Sequence, residues 1–269
     1  MLGLLRIPAD PDVRWSVAVR EAGTGAVLFQ RTPEETLRAA SIGKLLLLIH
    51  VAHRITRGLL DPAEQLTRSP VDAVADSGIW QHLGVETMQL TDLCTLIGTA
   101  SDNLATNVLL RRVGLAAVIR TGSELGLHST ELLDQVRDER GSEHPWTLST
   151  GCAAELADLM YRLATGSVFE PATSATVLGW LGNGLDLSMV AAGWGLDPLA
   201  HAGPDRGIWL HHKTGTDDGV RCDVGLLTGP RRRVAYAVLA NWDPARGDHR
   251  DAVLATMRDL GLQLRRVVG

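Results

Sequence analysis

Lysine is almost missing from this sequence. Lysine and arginine together number 26 in the 269-residue chain, and only Lys44 and Lys213 are lysine. Arginine stands wherever a generic surface cation is needed, which codon bias explains, and the two exceptions need their own account. Arginine cannot release its proton near neutral pH, whereas a buried lysine can. The two lysines are therefore the first places to look for chemistry. Cysteine is scarce as well: Cys94, Cys152 and Cys222 are odd in number and far apart, with no CxxC pair. That argues against a disulfide framework or a zinc site and for three reduced, partly buried thiols. No metal and no other cofactor is implied.

No basic run exceeds Arg231-Arg232-Arg233, and the net charge is −5, so the stripe of cations that a phosphate backbone requires is lacking. Nucleic acid is not an expected partner. The arginine trio follows Gly229-Pro230 and reads as a solvated hairpin turn. Nowhere do about eighteen apolar residues run together, so no transmembrane helix is expected. The start, Met1 to Pro8, has too short an apolar run for a signal peptide and no basic residues ahead of it. These features predict a cytoplasmic protein with no membrane partner, and we expect a monomer.

Hydrophobic residues make up 45% of the chain, enough for one large domain or two intimate ones. Trp15 to Arg20 and Ala26 to Gln30 read as strands around a Gly23-Thr24-Gly25 turn. Leu45 to Ile55 is a long apolar run, and its length predicts a buried helix. Helices are expected from a Thr91-Asp92 cap through Ala100, over Asn103 to Val113 and over Glu155 to Leu163. From Val177 to Trp209, glycine and tryptophan are mixed and no boundaries emerge. Strands return at Gly207–His212, Val220–Leu227 and Val234–Leu239, and an amphipathic helix covers Asp248 to about Leu264. The pattern predicts an α/β (α+β) fold: an antiparallel sheet flanked by helices, completed by the two termini, with an all-helical insertion. The expected division is 1–53 with 201–269 for the sheet part and 54–200 for the insertion, together one catalytic unit.

Three short motifs occur in order. Ser41-Ile42-Gly43-Lys44 opens the first long helix, Ser101-Asp102-Asn103 lies at a helix–helix junction, and Lys213-Thr214-Gly215-Thr216 sits at the end of an expected strand. With twelve serines and two lysines in the chain, an isolated SxxK arises by chance on the order of one time in ten. The three motifs in this order, using both lysines, are far more specific. Positions i and i+3 share a helical face, so Ser41 and Lys44 are expected to share a hydrogen bond. A helix N-terminus favours developing negative charge at Ser41. Burial among Leu45 to Leu48 would ease proton loss from Lys44. Ser41 as a simple N-cap and Lys44 as a snorkelling surface residue is the plainer alternative.

These motifs resemble the SxxK, SDN and KTG set of class A β-lactamases and penicillin-binding proteins. Ser69-Pro70-Val71, Thr91 to Cys94 and Ser101 to Leu110 are also similar to the class A helical domain, and the resemblance runs from about Val17 to Leu264. It implies a serine hydrolase acting through a covalent acyl-enzyme on a small-molecule substrate, a β-lactam or a related cyclic amide or ester. Ser41 would be the nucleophile, Lys44 its base or proton relay, and Ser101 the shuttle to the leaving group. Asn103 would hold the substrate's side-chain amide. Lys213 and Thr214 of the Lys-Thr-Gly motif, which Gly215 completes, would hold a carboxylate together with Thr216. The backbone N–H groups of Ser41 and Thr216 would form an oxyanion hole. Arg221, on the next strand, would add positive charge near the carboxylate, or else be an ordinary surface cation.

The sequence also departs from that family. A gap-free alignment at Leu133-Asp134 puts Arg137 where class A enzymes carry the Ω-loop glutamate that activates the deacylating water, and the loop to Pro145 is short. Glu139 is a possible deacylation base and Glu143 lies nearby; a surface position is the other reading of each. Arg68 replaces the aromatic residue before Ser-Pro-Val, with Trp80 a possible substitute wall. His211 and His212 alternate on a strand and cannot jointly bind one metal, and at most one of them faces the site. His50 and His53 read as packed helix residues. A cytoplasmic esterase or peptidase, or an acylation-only sensor that traps its ligand, are the alternatives that the altered loop keeps open.

Overall fold

The computed structural model describes residues 6–8, 10–199 and 203–269. Met1 to Leu5 of the apolar start and the boundary placed at residues 200–201 lie outside the described residues.

Five long strands form one antiparallel sheet: β1 (Val13–Glu21), β2 (Val27–Arg31), β3 (Trp209–Asp217), β4 (Val220–Thr228) and β5 (Arg233–Trp242), in the order β2-β1-β5-β4-β3. The two ends of the chain therefore meet in the sheet, with Val17 of β1 opposite Val238 of β5, and Ala237 of β5 opposite Val224 of β4. Central β5 is apolar on both faces, because each face is covered. Ala235, Ala237 and Leu239 join one core, while Val234, Tyr236, Val238 and Ala240 join the other. A period of two thus distributes a single strand between two cores.

The second core lies under the last helix, α7 (Arg250–Val268), with Val253, Met257, Leu260 and Leu264 on its buried stripe. The first core takes the remaining helices: α1 (Lys44–Thr56), α2 (Leu90–Ala100), α3 (Asn103–Val113), α4 (Leu115–Glu124), α5 (Ala153–Ala164) and α6 (Pro171–Leu181). α1 is buried without a break from Lys44 to Ala52. A helix apolar on all sides belongs at the centre of a core, and here α1 packs against α2, α4 and α6. α5, within the range expected for the helical insertion, lies against β1, β4 and β5, so helices and sheet share one continuous core.

Several boundaries differ from expectation for local reasons. The Lys-Thr-Gly segment lies inside β3 rather than past its end, because the ladder with β4 continues to Asp217. α2 begins at Leu90 with Gln89 as its cap residue, so Thr91 and Asp92 sit in its first turn. α7 starts two residues after Asp248 and runs on to Val268. α4 falls within the range expected to be helical, without bounds drawn for it: it follows α3 after a single linking residue, Gly114 (φ 83°), whose left-handed conformation turns the chain between two helices. α6 starts from Pro171 in its first turn and carries almost no amphipathic signal, its buried Val177, Trp180 and Leu181 being mixed with small residues. Among the described residues no helix is long and apolar enough to cross a membrane.

Candidate active site

Ser41 does not stand on α1 itself. It lies in a short 3₁₀ turn, Ala40–Gly43, and the α-helix begins at Lys44. Two close approaches hold the turn. The Ser149 hydroxyl donates to Ala40 O at 2.6 Å, and a Cβ on Gly43 would lie 2.5 Å from Ser149 Cβ. On the other side, a Cβ on Gly215 would lie 2.5 Å from Ala39 O, so only glycine lets β3 run against the turn. Ala40 has a positive φ of 48°, as does Ser101 (54°). Two non-glycine residues in that sparsely populated region flank the same site, a mark of backbone strain held by its surroundings.

Lys44 is fully buried. Its ammonium donates to Ser101 O at 2.6 Å, Asn103 Oδ1 at 2.6 Å and Ser101 Oγ at 3.2 Å. The expected hydrogen bond to Ser41 Oγ is not among them: once the helix starts at Lys44, the two residues no longer share one regular helical face. Burial, and then the charge of Lys213, push the Lys44 pKa well below that of an ordinary lysine, with Asp102 and Asp76 opposing. Lys213 is also buried and is held down to about 8 by burial, again with carboxylates opposing, here Asp186 and Asp223. Its ammonium donates to Thr214 O at 2.7 Å.

The Ser-Asp-Asn segment works as a unit. Ser101 ends α2 in the left-handed conformation, and Asp102 caps α3 by accepting from Ala105 N at 2.9 Å. The other oxygen of Asp102 accepts from Ile79 N and Trp80 N, each at 2.8 Å, and so fixes the 77–80 loop over the site. Asn103 Nδ2 donates to Ala75 O at 3.0 Å while its Oδ1 holds Lys44.

Together these elements enclose a cleft of about 340 Å³ in which Ser41, Ser101, Lys213, Thr214 and Thr216 meet. Ser77, Gly78 and Ile79 line its rim, and Asp186 and His212 its far side. The sequence points to none of Ser77, Gly78, Ile79 and Asp186, because loops at 77–79 and 186 carry no periodic signal, while of the His211–His212 pair it allows at most one to face the site. His212 and not His211 meets the cleft, and its Nδ1 lies 3.1 Å from buried Asp223 Oδ1, which also accepts from Tyr236 Oη at 2.9 Å. Asn103 stands behind Lys44, on a second cavity of about 330 Å³ beside Ser41.

That second cavity is where the altered loop comes in. Arg137, Asp138 and Arg140 line it with Asp76. Arg137 and Arg140 are pinned by buried Asp134, at 2.8 and 2.6 Å. Glu139 is exposed and lines neither cavity, as the loop's turn faces it outward, so the structure does not bring it to Ser41. Arg221 is not brought to the cleft either. It lies opposite Thr216 in the ladder, but its guanidinium donates to Asp217 O and Val220 O and sits 5.9 Å above the Trp242 ring. Trp80 is buried, donating to Val85 O, and its neighbour Ile79 supplies the cleft wall.

A fold of antiparallel sheet and helices, with these three motifs on one cleft, defines the class to which the chain is similar. The chain belongs to the β-lactamase enzyme family, whose pattern its residues 5–268 match. It is similar to the β-lactamase of Sphaerobacter thermophilus DSM 20745, at 24% identity and a TM-score of 0.82 over 96% of this chain and 92% of that one. It is similar also to a mutant of PBP-A in an acyl-enzyme complex with penicillin G, at 21% identity and a TM-score of 0.80 over 96% and 90%. A variant of the class A β-lactamase of the last common ancestor of Gram-negative bacteria matches at 25% identity and a TM-score of 0.78 over 95% and 93%.

Proposed function

We propose that the protein is a serine hydrolase that forms a covalent acyl-enzyme at Ser41 with a β-lactam or a related cyclic amide or ester. The observation that carries this reading is the meeting of Ser41, Ser101, Lys213 and Thr216 on one cleft, with buried Lys44 hydrogen-bonded to Ser101 behind it. A lysine whose burial favours the neutral amine can take the Ser41 proton as Oγ attacks the substrate carbonyl. The proton then has a short path from Lys44 to Ser101 Oγ and on to the leaving nitrogen as the C–N bond breaks. The backbone N–H groups of Ser41 and Thr216 would stabilise the oxyanion. Lys213 and Thr214 would hold a carboxylate, with Gly215 allowing the close fit, and Asn103 would act first by holding Lys44. In this reading the cleft lies between a sheet part, 1–53 and 201–269, and a helical insertion, 54–200. Cytoplasmic location and a monomeric state belong to the same proposal.

A second reading is favoured by one observation: the cavity beside Ser41 presents Arg137, and Glu139 lies outside it. An acyl-enzyme without a well-placed base for deacylation would persist, making the protein a sensor or trap. Mass spectrometry after brief and long exposure to benzylpenicillin separates the readings, with Ser41→Ala as control. A transient gain of the penicillin mass on Ser41 supports turnover, and a lasting one supports trapping. No gain in the intact protein would overturn β-lactams as substrates.

A further inference from the structure

Away from the cleft, α1, α3 and α4 enclose a second kind of cavity, of about 400 Å³. Its lining is unusually cationic: His50, His53 and Arg54 come from α1, Arg112 from the end of α3, and Arg120 from α4, with Glu124 as the one carboxylate. Arg112 is already committed to Glu64, at 2.5 and 3.0 Å. Among the described residues the Arg54 and Arg120 side chains make no hydrogen bond or ion pair. His53 is held by Glu170 at 2.9 Å. Two guanidinium groups, each with five donors in a planar fork, thus border one concave space without being paired to the Glu124 carboxylate that shares it.

The floor supplies an independent observation. His50 is more than nine-tenths buried, and its Nδ1 lies 2.9 Å from Thr121 Oγ1. The Thr121 hydroxyl donates to Ala117 O, so it accepts the proton of His50 Nδ1, leaving Nε2 as the ring's one free polar atom. Burial first, and then the charges of Arg54, His53 and Arg120, hold the imidazole down at about 4. Of the nearby carboxylates, Glu124 on α4 lines the same space and Glu170 at the start of α6 is held by His53.

We infer that this cavity binds a small oxyanion, phosphate or the phosphate group of a monoester, between the Arg54 and Arg120 guanidinium groups with His50 Nε2 beneath it. Arginine forks match the geometry of phosphate oxygens. A monohydrogen phosphate also carries one O–H, which suits a neutral Nε2 as acceptor. An anion beside His50 offsets the arginine charges, so occupancy raises the imidazole pKa.

The test is a titration of the full chain with inorganic phosphate, and separately with glycerol phosphate, at constant ionic strength maintained with sodium chloride. The His50 ring resonances are followed by NMR, in the wild type and in Arg54→Gln/Arg120→Gln. Both arginines reach solvent, so the double variant is expected to fold, which its thermal transition checks. The expected result is saturable movement of the His50 signals, an upward shift of the His50 titration midpoint in the ligand, and at least a tenfold loss of affinity in the double variant. Saturation by inorganic phosphate assigns the free ion, and saturation by glycerol phosphate with markedly higher affinity assigns a monoester. No saturation by either, or binding by the double variant within twofold of wild type, overturns the site.

Discussion

The Lys44 ammonium lies 2.6 Å from Asn103 Oδ1 and 2.6 Å from Ser101 O, so a single buried cation ties the central helix α1 to the junction of α2 and α3. Sites built on packed elements hold their geometry better than sites on loops. Here the second lysine, Lys213, faces the same cleft from the sheet. Lys213 adds to burial in lowering the Lys44 pKa, whereas burial alone lowers that of Lys213, and this difference in setting separates their proposed tasks: Lys44 moves a proton, and Lys213 presents charge.

That separation gives a pH signature. Lys213 loses its proton as pH rises through about 8. A substrate bearing a carboxylate should then bind more weakly, its KM rising by up to about tenfold per pH unit above that point. A neutral activated ester should show no such rise. Parallel KM profiles for the two substrates would remove Lys213 from the carboxylate subsite.

Gly215→Ala should injure the site through the backbone. The added Cβ would meet Ala39 O at 2.5 Å, and a carbonyl in the Ser41 turn cannot swing aside as a flexible side chain could. The expected cost is about 1–3 kcal/mol in stability. Acylation should fall by more than about tenfold, because the nucleophile is displaced. Unchanged acylation in a folded variant would show that the turn has room the structure does not give it.

Asp102→Ala should be costly to stability before any question of catalysis. It removes the α3 cap and leaves the buried Trp80 N and the part-buried Ile79 N without their acceptor. A cap contributes about 1 kcal/mol and charge-assisted bonds more, so about 3 kcal/mol is expected from urea unfolding. A loss below about 1 kcal/mol would mean that the 77–80 loop finds other partners.

His211 carries a pH dependence of folding. It is buried with Nδ1 unpartnered, and burial lowers its pKa to about 4 from 6.5. Between those values the unfolded chain binds the proton that the folded one refuses, so stability falls as pH drops from 6.5 towards 4 and is regained as it rises. His50 acts in the same direction. His211→Leu removes one of the two contributions and an unsatisfied polar atom as well. Its stability should be higher than wild type and should decline less steeply across that range. An equal slope in the two proteins, measured by chemical unfolding at several pH values, would assign the acid sensitivity elsewhere.

Much was legible in the chain itself. The run from Leu45 to Ile55 predicts a buried helix, and the strands at Val220–Leu227 and Val234–Leu239 stand out from their apolar content. The rarity of lysine drew attention to Lys44 and Lys213, and the three motifs, taken in order, identified the family. These are properties of composition, period and spacing, which survive in one dimension. The tertiary structure decided what depends on distance. It passed Lys44 from Ser41 to Ser101 and Asn103 by starting the helix one turn later. It turned Arg221 onto Asp217, Val220 and Trp242, and it left Glu139 in solvent while Arg137 and Arg140 closed on Asp134. It also brought His212, Asp186 and the 77–79 loop to the cleft, although they lie far apart in the chain. A side chain's partner is set by which elements pack together, and that packing is a property of the whole core rather than of any local stretch.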